Sequence, residues 1–139
     1  MNPALAKSVI RAKNNLAITA RMAHWNVRGS DYYEAHLLFE RIYKEAKAGT
    51  DTLVELLRSL GYNPTFEEFS GPGGSLPSYS RGELVDLLID RTTSYYAALS
   101  TFRNSVKEDI MAIGLVNLLE DLAQTCSTIM YLLSASKGR

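Results

Sequence analysis

Two histidines, His24 and His36, stand at the head of a run of carboxylates in this 139-residue chain. The stretch reads HWNVRGSDYYEAHLLFERIYKEAKAGTDTLVELL. On a helical wheel of about 100° per residue, with His36 at zero, Glu40, Asp51 and Glu55 fall near 40°, 60° and 100°. All four share one stripe. His36 and Glu40 are one turn apart, as are Asp51 and Glu55, so each pair can address a common ion. Imidazole and carboxylate together suit iron, zinc or manganese. The two pairs cannot meet within one chain. Eleven residues separate Glu40 from Asp51, roughly 16 Å of straight helix, whereas ligand atoms must approach a metal to about 2.0–2.2 Å. Two copies packed antiparallel about a two-fold axis near Lys44 to Lys47 would bring His36 and Glu40 of one onto Asp51 and Glu55 of the other. His24 could then join His36, and the isologous contact would make two such sites. Spacing alone leaves a second reading equally open: a lone structural histidine and a wet, charged helix face.

The elements that would position these residues can be read in outline. A first helix is expected over 3–26, with Pro3 in its first turn and Leu5, Val9, Ala12, Leu16, Ala20 and Ala23 as its buried stripe. Asn14 and Asn15 are weak helix formers assigned to a wet or interface face. Asn26 to Ser30 reads as a turn. A second helix is expected over 31–60, begun by a capping box of Asp31 and Glu34 and ended at Gly61. Its core face is Leu38, Ile42, Leu53, Leu56, Leu57 and Leu60. Gly49 in mid-helix costs about 1 kcal/mol relative to Ala, and close approach near the axis is the reason assigned to it. Lys44 and Lys47 are either solvated or balance Asp51 and Glu55 of the mate.

Residues 62–80 read as a long crossover. Thr65 and Glu68 offer a capping box for a short helix. Gly71-Pro72-Gly73-Gly74-Ser75 is a breaker, and with no preceding strand and no following Gly-Lys-Ser/Thr it is not a phosphate loop. A third helix opens with Ser80 and Glu83 as a capping box and runs to about Val106, with Leu84, Leu87, Leu88, Tyr95, Leu99, Phe102 and Val106 inward. Residues 104–110 read as the turn. A fourth helix runs to about Ser136 on Leu115, Leu118, Leu119, Leu122, Cys126, Ile129 and Leu133. Tyr95 and Tyr96 are assigned to packing.

Composition fits one domain over 1–139: 46% of residues are hydrophobic, enough for a core. Fifteen basic residues balance fifteen acidic ones, against the basic excess usual in nucleic-acid binders. The lone Cys126 excludes an intrachain disulfide and is expected buried. With no visible signal peptide and no apolar run of membrane-spanning length, a cytoplasmic location is expected.

At HWNVRG and the His36 that follows, the chain resembles the Dps family, the ferritin-like miniferritins. The likeness is strongest over residues 20–62 and rests on helix order elsewhere. Glu40, Asp51 and Glu55 fall where that family carries its remaining ferroxidase ligands, with Glu40 where many members have aspartate. The resemblance implies an all-α, ferritin-like four-helix bundle and a hollow dodecameric shell. It also implies catalytic metal ligands His24, His36 and Glu40 on one subunit and Asp51 and Glu55 on its two-fold mate. The implied chemistry is oxidation of Fe(II), one or two irons per site, with hydrogen peroxide as oxidant and ferric mineral stored inside, which protects against oxidative damage. Zinc is a possible substitute. Trp25 reads as interface packing, or as support for the ligand geometry. Glu108 and Asp109, or Glu120 and Asp121, would line an acidic entry pore, unless they complement helix dipoles. Leu37 and Arg41 stand where relatives often have acidic residues, which points to weaker mineral nucleation. The alternative is a DNA-binding, nucleoid-protecting assembly with iron oxidation secondary. It is disfavoured by zero net charge, by the want of a lysine-rich N-terminal tail and by only two cations in the tail Ser136 to Arg139.

Overall fold

In the computed structural model, which describes residues 1–137, the first helix has the expected bounds. α1 spans Pro3–Asn26. Asn2 Oδ1 accepts from the Ala4 N–H at 2.9 Å, and proline sits where a missing N–H is harmless. Four further α-helices follow among the described residues: α2 (Tyr32–Lys47), α3 (Thr50–Ser59), α4 (Arg81–Val106) and α5 (Ile113–Lys137). α1 packs on α2 and α4, α4 on α5, and α2 and α3 both on α5. With α2 and α3 counted as one broken rod, this is a four-helix bundle with a long crossover between the second and third rods. Its core runs through Val9, Leu16, Phe39, Ile42, Leu53, Leu57, Leu88, Tyr95, Phe102, Leu119, Cys126 and Ile129. Cys126 is buried as expected, and burial pushes its thiol up to about 12.

The single helix expected over 31–60 is a correction. The rod breaks at Ala48 (φ −57°, ψ 137°) and Gly49 (φ 84°, ψ 1°). Gly49 occupies the left-handed region that side chains disfavour. A Cβ there would lie 3.3 Å from Leu122 Cδ2 on α5 of the same chain. Close approach does explain the glycine, but the approach is internal, with no symmetry axis needed.

A break inside a bundle strands carbonyls that a continuous helix would have used. Lys13 supplies the donors. It is 1% exposed, and its Nζ donates to Ala46 O at 2.5 Å and Ala48 O at 2.6 Å. Thr50 Oγ1 donates to Lys47 O at 2.8 Å. Burial takes the Lys13 ammonium down to about 8.

The second correction is Asp31, which makes no side-chain cap on α2. Its carboxylate is drawn instead to Arg81 Nε, a charged partner stronger than an amide. Arg81 Nη1 also donates to Ser136 O and Ser136 Oγ, each at 2.8 Å. One guanidinium thus ties the α1–α2 turn, the start of α4 and the end of α5 together. Arg28 N–H donates to Tyr79 O at 2.8 Å in the same region. Asn14 and Asn15 are half-buried, and Asn14 reaches Glu68 O at 3.3 Å; α1 lies against the crossover there.

The crossover contains a 3-10 turn at Phe66–Phe69 with the expected Thr65–Glu68 capping box. Glu68 is fully buried. It accepts from the Tyr62 hydroxyl at 2.7 Å, from the Thr65 N–H at 3.0 Å and from the Thr65 hydroxyl. Burial works against its charge, but the hydrogen bonds prevail and bring the carboxyl down to about 2. Ser80 Oγ accepts from the Glu83 N–H at 3.4 Å, capping α4. After α4 a 3-10 turn, Ile110–Ala112, leads into α5, which begins later than the expected turn implied.

Gly49→Ala should lower stability by about 1–3 kcal/mol, the usual cost of a side chain in the left-handed region. Gly114→Ala, inside α5 with its nearest neighbour at 4.0 Å, should be neutral or gain up to about 1 kcal/mol; paired urea titrations check the opposite signs. Glu68 is depressed in the folded state, so its contribution is complete above its unfolded value near 4.5 and lost as pH falls toward 2. Glu68→Gln should therefore be less stable than the parent at pH 7, with the gap closing across that interval in melting curves taken from pH 7 to 2.

Candidate metal centre

His24 lies in the last turn of α1 and His36 in the second turn of α2, so the tight turn between the helices sets them face to face. Their rings stack with centroids 3.8 Å apart and planes 19° from parallel. Each Nδ1 points at the other residue's backbone carbonyl: His24 Nδ1 to His36 O at 2.8 Å, His36 Nδ1 to His24 O at 2.7 Å. A carbonyl can only accept, so each Nδ1 carries the proton. In the neutral rings each Nε2 is then left with its lone pair free. Metal-binding histidines are oriented in this way, by a hydrogen bond from the other nitrogen.

Glu40, one turn beyond His36, completes a cluster. One ligand atom each from His24, His36 and Glu40 lies within 4.8 Å of the others, and His24 Nε2 is 3.9 Å from Glu40 Oε2. Lys44 Nζ donates to Glu40 Oε1 at 2.8 Å. That hydrogen bond, and the lysine's charge, hold the Glu40 carboxyl below its usual range. Lys44 therefore balances a carboxylate of its own chain. Tyr32 stacks on the outer face of His36 at 5.2 Å.

Asp51 and Glu55 do not join this cluster. Both sit on exposed positions of α3. Asp51 opens on a surface groove of about 610 Å³ shared with Tyr43, Lys44, Lys47 and Phe69. The surface around the cluster is apolar for exposed protein: Trp25 is 56% exposed, Tyr33 67% and Leu37 45%. The Arg21 guanidinium lies between the rings of Trp25 (4.8 Å) and Tyr43 (5.0 Å) and donates to the Tyr43 hydroxyl at 3.0 Å.

Two of the other acidic candidates, Asp109 and Glu120, have local partners. Asp109 Oδ1 accepts from the Met111 N–H at 2.9 Å, the helix-end role weighed against a pore. Glu120 pairs with Arg103 at 2.7 Å. Arg41 pairs with Glu45 at 3.5 Å. Of the C-terminal tail, Lys137 pairs with Asp86 at 2.8 Å, and residues 138–139 lie outside the described residues. Among those residues no helix is long and apolar enough to cross a membrane.

The arrangement can be set beside known proteins. No family model matches the chain. A "DNA protection during starvation protein" of Brevibacillus brevis is 44% identical over 41 residues, 30% of this chain and 28% of its own length, so the match spans under a third of that relative. The crystal structure of a Dps protein from Bacillus brevis superposes with a TM-score of 0.80 at 22% identity, covering 96% of this chain and 92% of that one. The chain resembles the Dps proteins in both sequence and fold. Dps from Microbacterium arborescens, solved in a high iron form, has a TM-score of 0.79 at 17% identity, with 97% of this chain and 91% of that chain covered. Dps from Thermosynechococcus elongatus gives 0.79 at 19%, over 94% and 88%.

Sequence reasoning missed the reciprocal histidine–carbonyl bonds, which depend on how the turn closes. It also missed Lys13. A signal for Lys13 existed: it falls four residues after Val9 and three before Leu16, on the buried stripe of α1.

The histidine geometry has a direct check. Long-range proton–nitrogen spectra of the metal-free protein, at a pH where both rings are neutral, should show both as the Nδ1–H tautomer. Protonation at Nε2 in either ring would contradict the clasp.

Proposed function

We propose that this chain is a Dps-like ferroxidase that oxidises Fe(II) at sites shared between two-fold-related subunits and stores the ferric product in an oligomeric shell. The observation that carries this reading is the His24–His36–Glu40 cluster, with both Nε2 atoms free and a carboxylate at hand. Three ligands leave ferrous ion under-coordinated, and Asp51 and Glu55 of a second subunit are the proposed complement. Asp51 and Glu55 stand exposed on α3, and the groove beside Asp51 and the exposed Trp25, Tyr33 and Leu37 offer a surface for the mate.

Fe(II) is the substrate. The imidazoles, borderline donors, favour binding of the ferrous ion, and the carboxylates favour the harder ferric product. Hydrogen peroxide is the proposed oxidant. Two ferrous ions each give up one electron, and peroxide takes both with two protons and leaves as two waters. The chain contributes binding and orientation. His24 and His36 are pre-set by the carbonyl clasp, and Lys44 keeps Glu40 ionised until metal arrives. The Microbacterium arborescens Dps, solved in a high iron form, supports iron as the cargo.

His24→Ala and Asp51→Ala should each abolish fast Fe(II) oxidation in stopped-flow traces with peroxide. Co-refolding the two inactive variants is the sharper test. A mixed dimer carries one intact site and one doubly defective site, so random mixing should restore about a quarter of the parent rate in a C2 pair. Two inactive variants that recover nothing on mixing would place all ligands in one chain and refute the shared site.

A further inference from the structure

We propose that Lys13 is a positioning residue for the metal centre: it holds the carbonyl of Ala46 in the last turn of α2 and that of Ala48 in the α2–α3 break, and so fixes the direction in which the chain leaves α2 toward Asp51 and Glu55. This rests on the shared-site reading above. In an unbroken helix the hydrogen-bond ladder would fix both halves of the ligand stripe. Here the ladder stops. The Ala48 N–H bonds to Lys44 O at 3.1 Å as the end of α2, and the Leu53 N–H to Gly49 O at 2.9 Å as the first turn of α3. Between them lies Gly49, the residue type with the freest backbone. Lys13 Nζ reaches the break from α1, bonding Ala46 O before it and Ala48 O within it.

Leverage makes this matter. Glu55 is six residues past Gly49, about 9 Å along the helix, so a swing of about 10° at the break would move it about 1.6 Å. Metal–ligand distances tolerate about 0.2 Å. The strap also comes at an evident cost. The ammonium is buried, its protonation made harder by that burial, with the Tyr95 ring 6.0 Å away. The Tyr95 hydroxyl has no hydrogen-bond partner. An apolar residue of similar size would fill the space without that penalty. What a lysine adds is donors that reach both carbonyls.

The test uses the assembled full-length protein and Co(II) as a spectroscopic probe, with Lys13→Met to keep volume and remove the donors. Visible Co(II) spectra read ligand number, titration reads affinity, and particle size and melting report the fold. Lys13→Met should weaken Co(II) binding about 10–100-fold, the usual effect of losing a residue that supports metal ligands, with particle size unchanged. Lys13→Arg, which keeps donors and charge, should recover most of that loss. On an Asp51→Asn/Glu55→Gln background the same Lys13→Met change should cost less than about twofold, because both groups it positions are already gone. An unchanged affinity in Lys13→Met overturns the proposal. So does an equal loss on both backgrounds, which marks a general stabiliser of the fold. If Lys13→Met does not assemble, Lys13→Gln carries the same cycle. Failure of the underlying reading looks different: His24→Ala and Asp51→Asn would themselves leave Co(II) binding untouched, and the positioning role falls with it.

Discussion

The reciprocal bonds between His24 and His36 are the constraint from which the site's chemistry follows. His24 O belongs to the last turn of α1, where carbonyls lack helical partners. The His36 ring satisfies it. His36 O lies within α2 and takes the His24 ring in return. A slip of α2 along α1 by one turn, about 5.4 Å, would break both bonds together. The helix register and the tautomers are thus one decision. Arg81 reinforces it from outside, holding Asp31 at the start of α2 against α4 and the end of α5.

Much of this was legible in the residues. Pro3, the Thr65–Glu68 box, the Ser80 cap and the periodic leucines of α5 fixed element types and most boundaries, because each is a local signal with a local physical cause. The wheel placed His36 and Glu40 together for the same reason. The break at Gly49 was not legible. A glycine in a helical run is usually tolerated at about 1 kcal/mol, and the amphipathic pattern continues on either side of it. What turns tolerance into a break is long-range: the contact with Leu122 and a donor arriving from α1. Asp31 failed as a cap for a similar reason. Its competitor, Arg81, lies fifty residues further along the chain, and no local pattern announces it.

Charge placement separates the two halves of the proposed ligand stripe. Glu40 is neutralised in its own chain by Lys44 and lies close to both imidazoles. Asp51 and Glu55 stand exposed on α3, outside the cluster. Carboxylates in water lose little by being unpaired, so a single chain is not strained by this arrangement. Bringing a second chain over them would change that balance, since desolvated carboxylates call for a counter-charge. A bound cation supplies one. In the proposed assembly the metal would therefore stabilise the subunit contact as well as react there, and contact and metal affinity would be linked through the same groups.

A broken rod can also serve such an assembly better than a straight one. On a straight helix the angle between His36–Glu40 and Asp51–Glu55 is set by helical pitch alone, and the two-fold contact would have to accommodate whatever pitch dictates. A break with a single left-handed residue adds one adjustable joint, and the proposed strap from α1 would fix the chain entering it. The joint lies on the wall of the bundle, where Lys13 is buried and Ala48 and Gly49 reach the surface. The core can therefore lock an angle that the surface uses. Aligning the proposed ligands would then fall to packing inside each chain, before any partner is met. The proposed contact between chains would have only to bring two finished halves together, and preorganised halves lose less entropy on joining than flexible ones.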